Sequence, residues 1–105
     1  MTQTRDEHKE ELQGKVALVT GAAGGLGAAL ATALATRGAT VIACDVDLEA
    51  LDRLVPQAGR RVHPQLMDLR DPDQIQRCFS DVTRDYGEID IVAHTAIRHF
   101  GGDDI

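Results

Sequence analysis

Residues 15–27 read Lys-Val-Ala-Leu-Val-Thr-Gly-Ala-Ala-Gly-Gly-Leu-Gly, an apolar run followed by a glycine-rich turn. The run Val16–Val19 is short and rich in β-branched residues, which predicts a strand buried on both faces of a parallel sheet. Beyond the turn, a leucine stands at every fourth position, at Leu26, Leu30 and Leu34. This spacing predicts a helix that packs a leucine stripe against the sheet.

The glycine-rich turn connects the end of a strand to the start of a helix. Free backbone N–H groups and the positive end of the helix dipole make such a turn a binding site for a diphosphate. Gly21 is suited to the tight turn, Gly25 has no side chain where the backbone meets the phosphates, and Gly27 lets the helix lie close to the strand. Gly24 adds conformational freedom.

A second apolar strand, Thr40–Asp45, follows a helix end marked by Arg37-Gly38 and completes a right-handed strand-helix-strand unit. Asp45 lies about 20 residues beyond the glycine turn, where a carboxylate accepts hydrogen bonds from the adenosine ribose of NAD and repels the extra phosphate of NADP. Asp45 could instead cap the next helix, but Asp47 is better placed as the N-cap residue. We therefore predict that Asp45 binds ribose and that NAD is preferred over NADP.

The next helix and strand are read from residues 48–67. The second helix has an apolar side and is expected to end at Pro56–Gly59; the residues of that side are Leu48, Leu51, Leu54 and Val55. The third strand is predicted over Arg61–Met67. Pro64 removes a backbone donor from this strand, which therefore belongs at an edge of the sheet.

The third helix begins with Asp71 as N-cap residue and Pro72 at its first position. Its buried face is predicted at Ile75, Phe79, Val82 and Tyr86. Ile89–Ala93 is the predicted fourth strand. The sequence thus predicts an α/β fold, a Rossmann-type doubly wound parallel sheet that is truncated after about four strands in the order 3-2-1-4.

Composition limits the classes of protein that the chain can represent. Its 105 residues are 43% hydrophobic and 27% charged, as expected of one globular unit, with residues 14–105 as the domain and the polar residues 1–13 as a tail. The formal net charge of −6 argues against a nucleic-acid partner. No apolar run approaches the ~18 residues of a membrane span, and the polar start lacks the apolar region of a signal peptide. A cytoplasmic location without membrane contact is therefore expected.

The two cysteines, Cys44 and Cys78, are far apart in sequence and form no Cys-x-x-Cys pair. Neither a metal site nor a redox motif is indicated. We expect both to be buried free thiols, because free cysteine behaves as a small hydrophobic residue.

The pattern Thr20-Gly21-x-x-x-Gly25-x-Gly27 directly after an apolar strand resembles the cofactor signature of the short-chain dehydrogenase/reductase family. Leu12–Lys15, Asp45, Asp68 and Ile89-Asp90 also fall where that family has counterparts. The resemblance extends over most of this chain but only over the family's first half. It implies an NAD site, with Asp68 near the adenine ring, that is formed by Thr20, Gly21, Ala23, Gly24, Gly25, Leu26, Gly27, Asp45, Asp68, Leu69, Thr95 and Ala96.

The sequence departs from the family pattern in two places. After the fourth strand the family has Asn-Asn-Ala-Gly, and alignment without gaps on Asp90 places His94-Thr95-Ala96-Ile97 there. A one-residue gap would instead place Ala96 at the family's glycine, and in either alignment the asparagines are missing. The family's catalytic serine and Tyr-x-x-x-Lys pair also have no counterpart here, because the sole tyrosine, Tyr86, is followed four residues later by Asp90. We therefore predict no catalytic residues in these 105 residues.

Three functional classes follow from these observations. The first is a fragment of an NAD-dependent oxidoreductase whose small alcohol or carbonyl substrate is bound only by a full-length parent. The second is a non-catalytic dinucleotide-binding or regulatory module, and the third is a methyltransferase-type domain, which the glycine spacing disfavours. Because Ile89–Ala93 would be an unprotected edge strand, we also expect self-association through it.

Overall fold

The computed structural model describes residues 11–95, and the predictions that fall on residues 1–10 and on Ala96 and Ile97 lie outside this range. The described chain alternates strands and helices. Their bounds in chain order are β1 Val16–Thr20, α1 Gly25–Thr36, β2 Thr40–Asp45, α2 Leu48–Ala58, β3 Val62–Leu66, α3 Pro72–Tyr86 and β4 Ile91–His94.

The four strands form one parallel sheet in the order β3-β2-β1-β4, which confirms the predicted topology. β1 is one of the two inner strands, because it pairs with β2 on one side and with β4 on the other. All five residues of β1 are buried, as the apolar run predicted. Thr20, its last residue, lies in register with Cys44 of β2 and His94 of β4.

Two hydrophobic clusters cover the two faces of the sheet. Ala17 and Val19 belong to the cluster that contains residues of α1 and α2. Val16 and Leu18 belong to the other cluster, which contains residues of α3. Alternate residues of a strand point to opposite faces, so this division shows that the sheet is covered by helices on both sides.

The predicted leucine stripe of α1 is confirmed only in part. Leu34 is partly buried and packs against the first hydrophobic cluster. Leu26, however, is 66% exposed, and the buried residues of α1 are Gly27, Ala31 and Ala35. These positions have the same four-residue spacing, displaced by one residue from the leucines. The small residues face the sheet because the helix lies so close to β1 at Gly27 that no side chain fits there.

The predicted end of α2 within Pro56–Gly59 is confirmed, because the helix ends at Ala58 and Gly59 follows with φ of 109°. Pro56 lies inside the last turn of α2. Proline is tolerated so close to a C-terminus because few hydrogen bonds remain to be broken after it. Leu48, predicted on the apolar side, is exposed because it is the first residue of the helix, whereas Leu51 is fully buried.

The buried face of α3 is centred on Cys78 and Val82, with Ile75 and Phe79 partly buried. Tyr86, predicted in this face, is 41% exposed because it lies at the helix end. Its ring packs on that of His63 of β3, with ring centroids 5.1 Å apart.

Both predicted helix caps are present. Asp47 accepts a hydrogen bond from Ala50 N–H, and Asp71 accepts from the N–H groups of Asp73 and Gln74. β3 lies at the sheet edge as Pro64 predicted.

β4 begins at Ile91, two residues later than predicted. The residue before it, Asp90, makes hydrogen bonds to Val16 at the start of β1. Its carboxylate accepts a hydrogen bond of 2.9 Å from Val16 N–H, and its own N–H donates to the Val16 carbonyl. No helix within residues 11–95 is both long and apolar enough to cross a membrane.

Candidate functional site

A cavity of about 720 Å³ opens at the carboxyl ends of the strands. This is the edge at which open parallel sheets bind ligands, at the point where the strand order reverses on either side of β1. The cavity is lined by the segments that follow the four strands; its residues are Thr20, Gly21, Gly24–Gly27, Cys44–Val46, Met67–Arg70, His94 and Thr95.

The glycine turn is closed by its own backbone. Gly21 has φ of 69°, a left-handed conformation that favours glycine, and its carbonyl accepts a hydrogen bond from Gly24 N–H at 3.1 Å. Gly24 is the N-cap residue of α1 and provides no side-chain cap, and the first turn of α1 contains no acidic residue. The positive end of this helix dipole is therefore not neutralised by a side chain of its own first turn, so it can attract an anion.

The glycines at positions 25 and 27 have different roles. A Cβ added at Gly27 would overlap the Gly21 carbonyl group and lie 2.7 Å from Thr95 Oγ1. A Cβ added at Gly25 would meet no atom within 4 Å. Gly27 is thus required for the close approach of α1 to β1, whereas Gly25 leaves open space on the cavity wall.

Asp45 ends β2 and holds the glycine turn in place. Its Oδ2 accepts a hydrogen bond of 2.9 Å from Ala23 N–H, and its Oδ1 accepts one of 3.1 Å from Asp47 N–H. The neighbouring Ala22 N–H donates to the carbonyl of Cys44. Each carboxylate oxygen can accept a further hydrogen bond, so these contacts leave Asp45 able to bind a ligand hydroxyl. The sequence placed Asp45 at this edge, but its bond to Ala23 was missed.

Asp68 also lies in the cavity wall, but its carboxylate is already engaged. Arg70 donates to it from Nε at 3.0 Å and from Nη2 at 2.8 Å, and the backbone N–H of Arg70 adds a third hydrogen bond. The carboxylate raises the pKa of Arg70, first through these side-chain hydrogen bonds and then through its charge. Sequence reasoning missed Arg70, although its two-residue spacing from Asp68 is compatible with such a pair. The neighbouring Leu69 is partly buried and packs against the hydrophobic cluster on the α3 side of the sheet.

The segment that replaces the family's asparagines joins β4 to β1 by side-chain hydrogen bonds. His94 Nδ1 lies 2.7 Å from Thr20 Oγ1. Thr95 Oγ1 donates to the Thr20 carbonyl at 2.6 Å, and Thr95 N–H donates to the same carbonyl at 3.2 Å. Thr95 therefore sits against Gly27 and the start of the glycine turn.

Cys44 and Cys78 are free and buried, as predicted, and the fold brings their sulfur atoms to 3.9 Å. Burial raises the pKa of both thiols above the ordinary value of cysteine. Both are therefore kept in the unreactive protonated form. Within residues 11–95, no cluster of three or more potential ligands could hold a metal ion.

A parallel sheet with a glycine turn before the first helix and a carboxylate at the end of β2 defines the Rossmann class of dinucleotide-binding folds. Residues 15–101 match the family model described as short chain dehydrogenase. The chain belongs to the short-chain dehydrogenase family.

Similar proteins include enzymes that are named for different substrates. The chain is 43% identical over 88 residues to a 3-oxoacyl-(acyl-carrier-protein) reductase FabG of Thermotoga maritima, covering 81% of this chain and 36% of that protein. It is also 43% identical over 88 residues to a D-threitol dehydrogenase of Mycolicibacterium smegmatis, and this match covers 81% of this chain and 34% of that protein.

A solved structure of the same family also matches part of its length to this chain. The crystal structure of a protein assigned to the short-chain dehydrogenases/reductases of Burkholderia xenovorans matches with a TM-score of 0.71 and 43% identity. The match covers 79% of this chain and 36% of that one. The chain thus spans about a third of the length of the relatives it matches.

Proposed function

We propose that this chain is the NAD-binding part of an oxidoreductase that interconverts alcohols and carbonyl compounds. Membership of the short-chain dehydrogenase family supports an oxidoreductase that uses a nicotinamide dinucleotide. In such an enzyme the bound nicotinamide supplies the hydride transfer. The substrate and the catalytic serine, tyrosine and lysine are assigned by this proposal to a longer parent, so the 105-residue chain binds cofactor without turning over substrate.

The described residues fit a dinucleotide at the strand ends. The cavity volume of about 720 Å³ is within the usual range for ligand pockets. The N-terminus of α1 has no side-chain cap, and Gly25 leaves space beside it for a diphosphate. By this proposal the turn formed by Gly21 and Gly24–Gly27 would hold the diphosphate, and Asp68 and Leu69, which line the same cavity, would contribute to the adenine site.

The position of the Asp45 carboxylate is the observation that supports the proposed preference for NAD over NADP. Its carboxylate lines the cavity and is held next to the glycine turn by the N–H of Ala23. A carboxylate there accepts hydrogen bonds from a ribose and repels a phosphate on the same sugar. Arg70, a basic residue of the same cavity wall, has its charge balanced by Asp68.

Calorimetric titration with NAD and with NADP tests this preference. The unmodified chain should bind NAD about tenfold more tightly, which corresponds to about 1.4 kcal/mol. Asp45→Asn keeps an oxygen that can accept a hydrogen bond but removes the charge, so the two affinities should become nearly equal. Asp52→Asn removes a carboxylate from the exposed side of α2 and should leave the ratio unchanged. Equal or tighter binding of NADP by the unmodified chain would refute the assignment.

The proposal places the protein in the cytoplasm, with a dinucleotide as its small-molecule partner and neither a nucleic acid nor a membrane. The formal net charge of −6 supports the exclusion of nucleic acid, because phosphate backbones are bound by basic surfaces.

A further inference from the structure

The ring of His94 is fixed at the end of β4 by a hydroxyl group of the neighbouring strand. Nδ1 of His94 lies 2.7 Å from Thr20 Oγ1, and these two residues are register partners in the sheet. A threonine hydroxyl can donate one hydrogen bond and accept others. It can therefore donate to Nδ1 of a neutral imidazole and accept from Nδ1–H of an imidazolium, so this contact is possible in both charge states.

This contact is compatible with a proton on the second ring nitrogen in both charge states. In the tautomer in which Thr20 donates to Nδ1, the neutral ring carries its proton on Nε2, and the cationic ring carries a proton there as well. In that tautomer Nε2 is a hydrogen-bond donor in both charge states. His94 is exposed and lines the cavity together with Gly21 and the first turn of α1.

The other charged groups of the cavity wall already have hydrogen-bond partners. Asp45, at the end of β2, accepts hydrogen bonds from two backbone N–H groups. Asp68 and Arg70, after β3, form an ion pair with each other. β1 and the first turn of α1 contribute no charged side chain here. Among the described residues that line the cavity, His94 is therefore the one basic side chain that is not engaged by a carboxylate.

We propose that His94 is a binding residue for the diphosphate of the cofactor, to which its Nε2–H donates a hydrogen bond. This inference rests on the proposed function, because it requires a dinucleotide on the glycine turn. It assigns to this chain a cationic contact that adds to the amides of the α1 N-terminus. The replacement of the family's asparagine at this point then makes cofactor binding sensitive to pH.

The direction of the pH effect follows from the charges. Imidazole gains its positive charge as the pH falls from 8 to 5.5, whereas carboxylates and guanidinium groups ordinarily keep their charges over this range. A cationic His94 attracts a diphosphate more strongly than a neutral one. The affinity for NAD should therefore rise as the pH falls, by about three- to tenfold for an exposed charge pair that also forms a hydrogen bond.

Calorimetric titration of the full chain at pH 5.5, 6.5 and 8 tests the inference, with NAD as ligand and adenosine as a ligand without phosphate. The unmodified chain should bind NAD about three- to tenfold more tightly at pH 5.5 than at pH 8, and adenosine equally at each pH. His94→Gln, and His94→Asn if the first variant melts early, should abolish the pH dependence for NAD. His63→Gln is the matched control, because His63 packs on Tyr86 and does not line the cavity. It should retain the full dependence.

The outcomes separate this inference from the proposed function. If NAD binds equally at all three pH values, or if the dependence persists in the His94 variants, His94 does not contact the diphosphate although the cofactor assignment stands. If adenosine shows the same dependence, or if His63→Gln abolishes it, the inference is also overturned. If NAD does not bind at any pH, the proposed function fails and this inference fails with it.

Discussion

Replacing Gly27 by alanine is expected to destabilise the fold, although alanine is the better helix former. The added Cβ would overlap the carbonyl group of Gly21 and lie 2.7 Å from Thr95 Oγ1. Because the overlap is with backbone, relief requires α1 to move away from β1. Overpacking of this kind costs about 1–3 kcal/mol. The intrinsic preference for alanine over glycine in a helix offsets up to about 1 kcal/mol of this cost.

Because the overlap is with backbone atoms, the cost lies in the upper part of this range, about 2–3 kcal/mol. The net loss is then about 1–2 kcal/mol, or a decrease of about 5–15 °C in melting temperature for a domain of this size. Thermal unfolding followed by far-UV circular dichroism measures it. Gly25→Ala is the matched control in the same helix, since its Cβ would meet no atom within 4 Å. This variant should melt at or above the temperature of the unmodified chain. The reasoning is refuted if Gly27→Ala melts as high as Gly25→Ala.

Two further predictions concern the thiols and the edge strand. Cys44 and Cys78 should react with a thiol reagent only as fast as the protein unfolds, because burial raises the pKa of both thiols. Fast labelling of the folded protein in native buffer would contradict this prediction. Val92 is 56% exposed on β4, an edge strand of the described sheet, so Val92→Lys should reduce self-association in light scattering. An unmodified chain that stays monomeric at high concentration would show that this edge is not adhesive.

The order of the elements could be predicted from sequence because each has a local chemical cause. The run Val16–Val19 specified a buried strand, Asp47 and Asp71 specified helix starts, and Pro64 specified an edge strand. In each case the deciding property belongs to a few neighbouring residues, so no tertiary contact was needed to read it.

The errors concern choices that tertiary packing makes. Leucine and alanine stripes in α1 have the same period, and only the contact of Gly27 with the glycine turn shows which one faces the sheet. Tyr86 was assigned to the core because its spacing is helical, yet the end of α3 places it beside His63.

The candidate site also divides into residues that local sequence motifs identify and contacts that only the folded chain shows. The glycines and Asp45 were found because motif spacing fixes their position at the strand ends. The hydrogen bond between Asp45 and Ala23, the ion pair between Asp68 and Arg70 and the contact of His94 with Thr20 were not found. The first and last of these join residues far apart in sequence, and only the folded sheet brings them together.

The central claim is that the glycine turn before α1 holds the diphosphate of a dinucleotide. Calorimetric titration of Gly25→Val with NAD tests it most directly, because this side chain would occupy the open space at the cavity wall without contacting other protein atoms at its Cβ. The variant should melt close to the unmodified chain and bind NAD at least about tenfold more weakly. Unchanged NAD affinity in a folded Gly25→Val variant would contradict the claim.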